Sequence, residues 1–594
     1  MPVADRTTAP RHTAGESAAR PRAARWWWLA WPLLGLLLGA VRAPVFSLNG
    51  DVRYTLGALH TTAATGWSPA EVWAHRPMTN RLLMAAVDAV TWGEPATREV
   101  LWLLAGGLLC GVAAACLAHA LRSHLPDAQA AALATGVLVA LVWAPQRDVW
   151  QPEWSASALA VAAVAAGLAR ARWGVPLAAV LLAATALMKY TTATTALVAL
   201  LVLALVQLRR AVVVALLTGV VGLVVLGVQF ALVPVEWTWF TELGALNSEF
   251  SAQWWCQTGE SWGSCPPQSL LATMGLLSPL LLVWPAAIGV LVLRLRGAAR
   301  RVALVVPAAA VLLVGAGVVV QASWYSYQLD ALPVLAAGWV AWAVAASPWP
   351  ARVVLGLGTL VAAVSTWWLM TPPLEVREEA PPVLGVLPRT ELAYWGQVVL
   401  VVVLLVVAVG VALAGTRRAS APHPAAAGRA RPRVAVGVAT AVVVIGLAGA
   451  LLPSMPFSYG FQLGGYTPES EKERRQQGLE QIAEIDQRIG PDAPVVYLAF
   501  GEDSYLFGHP TYCRYAAATY LQRNLWADTE GLRGFAENLA CLEDPRAEYV
   551  VINDHWMKLE RDRAQTTREA IERWFDCGRD VGTSSWRVCP RRDG

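Results

Sequence analysis

Two neighbouring stretches, Ser47-Leu-Asn-Gly-Asp-Val-Arg-Tyr-Thr-Leu-Gly-Ala-Leu-His60 and Trp73-Ala-His-Arg-Pro-Met-Thr-Asn-Arg-Leu-Leu83, set one acid among several bases just after an apolar run. A carboxylate at Asp51, near a membrane surface yet reachable by water, could take a proton from an acceptor hydroxyl. Arg53, His75, Arg76 and Arg81 could hold a phosphate by charge-assisted hydrogen bonds. The plainer reading is a helix cap with interfacial ion pairs, and the residues alone leave both open.

Lys189 is one of only three lysines and the sole one near an apolar span. A cation inside the membrane costs about 2.5–3.5 kcal/mol on insertion scales and is a functional candidate by default. At the end of a span it could instead snorkel to the surface at little expense. Phosphate holding and snorkelling are weighed equally. Asp330 opens a later span, where a helix N-terminus favours a negative charge and capping alone would explain it. If it shares a cavity with Asp51, it could position the acceptor or a divalent cation, magnesium or manganese. The sequence assigns no certain cofactor and no metal ligands. Of the 29 tryptophans, Trp150, Trp154, Trp254 and Trp255 fall in outer loops and could line an acceptor groove with flat faces. An interfacial aromatic belt accounts for most such residues.

The elements that position these groups are membrane spans. Of 594 residues, 56% are hydrophobic and 15% charged. Apolar runs of roughly 17 to 25 residues recur about thirteen times, near 26–43, 99–121, 128–144, 154–170, 174–189, 191–208, 211–234, 269–293, 302–320, 331–347, 351–371, 395–415 and 433–453. Arginines cluster in alternate connections: the N-terminal tail, Arg170 with Arg172, Arg209 with Arg210, Arg294 to Arg301, Arg352, and Arg417 to Arg433. By the positive-inside rule these ends are cytoplasmic. The loops 44–98, 145–153, 235–268, 321–330 and 372–394, and everything after about 454, are then extracytoplasmic. Residues 1–25 read as a disordered cytoplasmic tail and the first span as an uncleaved anchor. The Ala-, Pro- and Arg-rich stretch 417–433 reads as a disordered linker.

Six of eight cysteines, Cys256, Cys265, Cys513, Cys541, Cys577 and Cys589, fall on the outer face, where disulfides persist. Cys256 with Cys265 would close a short loop. For the four in the tail, 513–541 with 577–589 is one of three connectivities and the one expected here. The tail, 454–594, has helical periodicity over Glu469 to Ile489 and strands at Ala493 to Phe500 and Glu548 to Asn553, a small α/β domain. No P-loop, dinucleotide-binding glycine motif or H-E-x-x-H occurs. A net charge of +4 without a basic stripe excludes a nucleic-acid binder.

A long first outer loop with an acid just after the first span resembles the GT-C superfamily of membrane glycosyltransferases, which use polyprenyl-phosphate sugars. Leu187-Met-Lys-Tyr-Thr-Thr-Ala193, Trp324-Tyr-Ser-Tyr-Gln-Leu-Asp-Ala-Leu-Pro333 and the tail segment Val496 to Phe507 are similar to family segments in the same order along nearly the whole chain. The resemblance implies that Asp51 is the catalytic base and that His75-Arg76-Pro77 matches the basic residue and Pro of the family's loop. Asn49 stands where the family often has a first acid. The expectation is a polytopic α-helical membrane protein, GT-C-like, spanning 26–453, with an extracytoplasmic α/β domain. It would transfer a sugar, with inversion, from a polyprenyl-phosphate donor to a cell-envelope glycan or lipid acceptor. Arg53, His75, Arg76, Arg81 and Lys189 would hold the donor phosphate, and Trp150, Trp154, Trp254, Trp255, Tyr325, Tyr327 and Asp330 the acceptor. The rival is a non-catalytic scaffold or a lipid-carrier transporter, and a transporter should carry charges deep in several spans.

Overall fold

The computed structural model describes residues 27–74, 76–252, 278–321, 326–370, 390–419, 432–452, 468–526 and 528–592. His75, Trp254, Trp255, Cys256, Cys265 and Tyr325, the N-terminal tail to residue 26 and most of the 417–433 linker lie outside them. Six helices among the described residues are long and apolar enough to cross a membrane, and six further apolar helices are shorter.

The first part of the chain runs through α1 (Trp27–Arg42), α2 (Gly50–Ala63), α3 (Met78–Asp88), α4 (Pro95–Leu121), α5 (Asp127–Trp143), α6 (Pro152–Leu168), α7 (Gly174–Leu187), α8 (Ala193–Leu232) and α9 (Pro234–Ala252). Helices Leu280–Arg294, Gly297–Gln321, Ala331–Ala346, Trp349–Met370, Thr390–Ala419 and Pro432–Leu451 complete the bundle. The expected spans 191–208 and 211–234 form the single assigned helix α8, broken at Gln207 (φ −145°, ψ 76°). Leu203 lies against Gly167 near the end of α6, and just past the break Arg210 reaches the carbonyl of Ala171. Gln229 then bonds Thr79 Oγ1, back at the other end, at 3.0 Å. The chain therefore goes down and returns, and the count of about thirteen passes survives the merger. The loop 44–98 holds α2 and α3, and the described part of 235–268 belongs to α9.

With lipid outside and no hydrophobic gain between helices, membrane helices associate through close packing of small residues. Gly35 and Gly39 of α1 meet Gly107 and Gly111 of α4, each pair four residues apart, and a Cβ at Gly35 would lie 2.1 Å from the Gly107 carbonyl oxygen.

The tail contains helix Pro468–Ile489 and a three-stranded sheet in the order β1 (Val495–Leu498), β2 (Tyr549–Ile552), β3 (Arg587–Pro590). β1 and β2 run parallel, and β2 and β3 antiparallel. The expected helix and two strands are present. β3 is too short, between polar neighbours, to stand out by alternation. Among the described residues, Cys513–Cys541 and Cys577–Cys589 are the disulfides, and the second tethers β3. Cys110 and Cys116 are free.

This domain sits directly on the first loop. Trp73 N–H donates to the Arg514 carbonyl at 2.8 Å and Thr511 N–H to the Thr61 carbonyl at 2.9 Å. Helix Gly501–Phe507 crosses α2 so closely that a Cβ at Gly501 would lie 1.9 Å from the buried Tyr54 ring. Gly501→Val should therefore cost about 1–3 kcal/mol of docking by overpacking. Hydrogen exchange should show lost protection of the Trp73 and Thr511 amides, while unchanged protection would refute this account of the contact.

Asp503, 8% exposed, accepts from Asn553 Nδ2 at 3.2 Å. Burial lifts its pKa from 3.8 to about 7 despite the Asn553 bond. The folded state thus holds this proton more tightly than the unfolded state does. Its contribution to stability is complete below the unfolded pKa of 3.8 and is lost as pH rises toward about 7. Asp503→Asn should flatten the melting-temperature profile across that window; an unaltered slope would contradict the assignment.

Candidate active site

The bundle has two ends, and the first loop, α9 and the tail gather at one of them. There the chain leaves α1 through Arg42, whose fully buried guanidinium donates to the Val142 carbonyl and stacks 5.5 Å from the Phe46 ring centre. Asn49 caps α2, its Oδ1 accepting from Asp51 N–H at 2.8 Å. Because Asn49 supplies the cap, the Asp51 carboxylate is left to point elsewhere. It accepts from Arg76 Nη2 at 2.9 Å and from Gln151 Nε2 at 3.4 Å, and Arg76 Nη2 also donates to Gln151 Oε1 at 3.2 Å. The Asp51 side chain keeps 25% exposure against 6% for Arg76, so the acid is the member open to solvent.

Gln151 and Glu153 enter this group from the start of α6. Pro152 at the first helical position presets the helix, and Glu153 in its first turn is favoured by the helix dipole. Lys189 occupies the break between α7 and α8. Thr192 Oγ1 stands 2.7 and 2.6 Å from the Thr185 and Lys189 carbonyls and shares its one proton between them, which holds this break open. Lys189 Nζ donates to Glu153 Oε1 at 2.6 Å, with both side chains below 10% exposed, and lies 5.3 Å from the Tyr327 ring centre. Glu153 Oε2 and Asp330 Oδ2 are buried and make no hydrogen bond among the described residues. Arg76 is electrostatically close to Asp51, Tyr327 and Glu153, and Asp330 to Asp148, Glu153 and Arg42. Asp148, in the short loop after α5, accepts from Asn49 Nδ2 at 2.7 Å, and desolvation raises its pKa to about 7 against the pull of Arg147 and Asn49.

Of the residues expected at the site, the structure thus brings together Asp51, Arg76, Lys189, Tyr327 and Asp330. Asp330 forms no side-chain cap. Other candidates are committed elsewhere. Arg53, 1% exposed, pairs with Glu99 at 3.1 Å and with Glu502 of the tail, because a guanidinium with five donors is satisfied best where two carboxylates converge. Arg81 clasps the loop before it, donating to the Pro69, Arg76 and Ala70 carbonyls and to Glu236. Both guanidinium groups are occupied by these partners. Trp150 and Trp154 are buried in the bundle rather than lining an open groove, their indole N–H groups donating to the Trp102 and Leu141 carbonyls at 2.9 and 2.7 Å. A buried indole requires such a partner, and these helix carbonyls supply it.

Sequence reading missed Asp148, Gln151, Glu153 and Arg42. The signal was present in Arg147-Asp-Val-Trp-Gln-Pro-Glu153, where three charged residues and an amide crowd a loop between two apolar spans. Among the described residues no group of three or more His, Cys, Asp or Glu side chains is arranged to hold a metal ion. No step is drawn through the divalent cation considered above.

Below the cluster lies an apolar cavity of about 350 Å³, walled by residues such as Val161, Val198, Val302, Val334 and Trp339 and reaching Arg296 at the opposite end of the bundle. A smaller hollow bordered by Glu153, Thr191 and Gln328 shares Thr195 and Val314 with its wall.

No protein-family model matches the chain, and no curated protein matches it in sequence. Among solved structures, it is similar to ArnT from Cupriavidus metallidurans bound to undecaprenyl phosphate, with 15% identity, 95% of this chain and 97% of that chain covered, and a TM-score of 0.51. The apo state of the same protein gives 16% identity, 96% and 98% coverage and a TM-score of 0.47. Arabinosyltransferase EmbB from Mycobacterium smegmatis gives 15% identity, 79% and 44% coverage and a TM-score of 0.38. The first of these, over nearly the full length of both chains, is a likeness of fold. The chain shares the fold of that structure, as the resemblance of the loop and Lys189 segments implied.

Proposed function

We propose that this chain is a membrane glycosyltransferase that moves a sugar from a polyprenyl-phosphate donor to an acceptor hydroxyl, with inversion at the anomeric carbon. The observation that carries this reading is the arrangement of a solvent-open carboxylate, Asp51, with two buried cations, Arg76 and Lys189, in one cluster above an apolar cavity. The isoprenoid tail would occupy that cavity, and the ArnT structure of the same fold was determined with undecaprenyl phosphate. The donor phosphate would meet Lys189 and Arg76, which stabilise the charge that develops as the bond from the anomeric carbon to the phosphate oxygen breaks. The acceptor oxygen attacks from the opposite face, and its proton passes to Asp51. Arg76 leaning toward the phosphate would release Asp51 from its pairing as the base is needed.

The arginine clusters support an extracytoplasmic site. Arg170, Arg172, Arg209, Arg210, Arg294, Arg296 and Arg352 all stand at helix ends opposite the Asp51 cluster, and the two tail disulfides are on the Asp51 side. The charges sit at span ends and in loops instead of running along the spans, which favours surface chemistry over translocation. The test is transfer of labelled sugar from a panel of polyprenyl-phosphate sugars to cell-envelope extract by the purified protein. Transfer that stays dependent on the lipid donor is expected. No transfer from any donor by the folded protein would favour the transporter or scaffold reading.

A further inference from the structure

A second cavity, of about 760 Å³, lies between the tail domain and the first loop. Its floor is formed where the parallel strands end: Phe500 follows β1, and Asn553 and Trp556 follow β2. The crevice past the carboxyl ends of parallel strands is where α/β sheets bind ligands. Helix Pro468–Ile489 adds Arg474, Gln477 and Gln481 from one side, and Arg147 closes the side toward the membrane.

The chemistry of this lining is distinctive. Amides, guanidinium groups and carboxylates, all planar with paired donors or acceptors, alternate with aromatic faces, Phe500 and Trp556 standing 6.3 Å apart. The charges are largely matched in place. Arg53 and Arg475 share Glu99, Arg53 also meets Glu502, and Arg587 meets Asp554. Five arginines against three carboxylates line it, and Glu99 and Asp148 behind Arg475 and Arg147 offset the difference, so it offers little excess charge to a polyanion and no apolar tunnel to an acyl chain. It suits a neutral polyol, whose vicinal hydroxyls both donate and accept and whose C–H faces lie on rings.

The crevice also borders the turn that carries the base. Asn49 N–H donates to the Arg147 carbonyl at 3.1 Å, and a Cβ at Gly50 would lie 3.0 Å from Glu502 Oε2 and 3.2 Å from the Phe500 ring. Three lining residues thus border the turn that carries Asp51, and glycine at position 50 lets the two sides approach closely.

We infer that this crevice is the acceptor subsite and that the acceptor is a neutral oligosaccharide, gripped by the tail domain and presented to Asp51. The inference rests on the glycosyltransferase reading. It replaces Trp150 and Trp154 with Trp556 and Phe500 as the aromatic surfaces for the acceptor.

The test uses the full chain in detergent with neutral oligosaccharides released from the cell envelope by mild acid, followed by tryptophan fluorescence and by transfer kinetics. Trp556→Ala combined with Gln477→Ala should weaken oligosaccharide binding and raise the acceptor KM by at least about tenfold, with an unchanged melting temperature and an unchanged KM for the lipid donor. Transfer with an unaltered acceptor KM in this variant would overturn the subsite while leaving the enzyme reading intact. Wild-type protein that transfers only to lipid-anchored acceptors and binds no oligosaccharide would overturn the acceptor class. Oligosaccharide binding that depends on Trp556, with no transfer from any donor, would remove the enzyme reading and the acceptor role with it, leaving a glycan-binding crevice.

Discussion

Asp51→Asn should lower the turnover of sugar transfer by about 10²–10⁴-fold, the range for loss of a general base, while the protein stays folded. The substitution is nearly isosteric, and its amide oxygen can still accept from Arg76, now 2.9 Å from the carboxylate. Asp51 is also more exposed than Arg76, and Arg76 keeps its bond to Gln151 and the nearby Glu153 when Asp51 is neutralised. Binding of the lipid donor, measured apart from turnover, should be retained or strengthened, because Arg76 is freed toward the phosphate. The configuration of the product supplies an independent check. A single displacement with Asp51 as base inverts the anomeric centre, so a retained configuration read by NMR would refute this mechanism. Undiminished turnover in the variant would move the base elsewhere, with Asp148 the nearest acid bonded to the same turn.

How far the sequence foretold this arrangement depended on which physical signal each residue left. Apolar runs and alternating arginine clusters mark passes because they respond to the bilayer as a solvent. The merger of two expected spans at Gln207 was invisible because a sharp reversal can occur without glycine or proline. Tail pairings Cys513–Cys541 and Cys577–Cys589 agreed with the expected connectivity. Arginine roles were much less legible. Arg53, Arg76 and Arg81 carry the same group on one loop, and only the partners decide their tasks. Glu99 and Glu502 claim the first, Glu236 and three carbonyls the third, and Arg76 alone of the three turns to Asp51. Those partners lie as far as 449 residues away in the chain, beyond any local pattern.

The buried pair Lys189–Glu153 separates structure from chemistry most sharply. Lys189→Ala alone should destabilise the protein by about 3–5 kcal/mol, because Glu153 is left buried without its cation. A loss of transfer in that variant would therefore say little by itself. Replacing both partners with neutral side chains of similar size, Lys189→Met with Glu153→Gln, should return stability to within about 1 kcal/mol of the native protein, since exchanging a whole buried ion pair is often neutral. If Lys189 holds the donor phosphate, the paired variant will melt normally and yet transfer poorly, with a raised KM for the lipid donor and about 10²–10³-fold lower turnover, the scale of one lost transition-state donor. If Lys189 serves only to neutralise Glu153, the paired variant will recover both properties together. Thermal melting and initial rates on the two single variants and the double complete the cycle, and recovery of full transfer would remove Lys189 from the proposed chemistry.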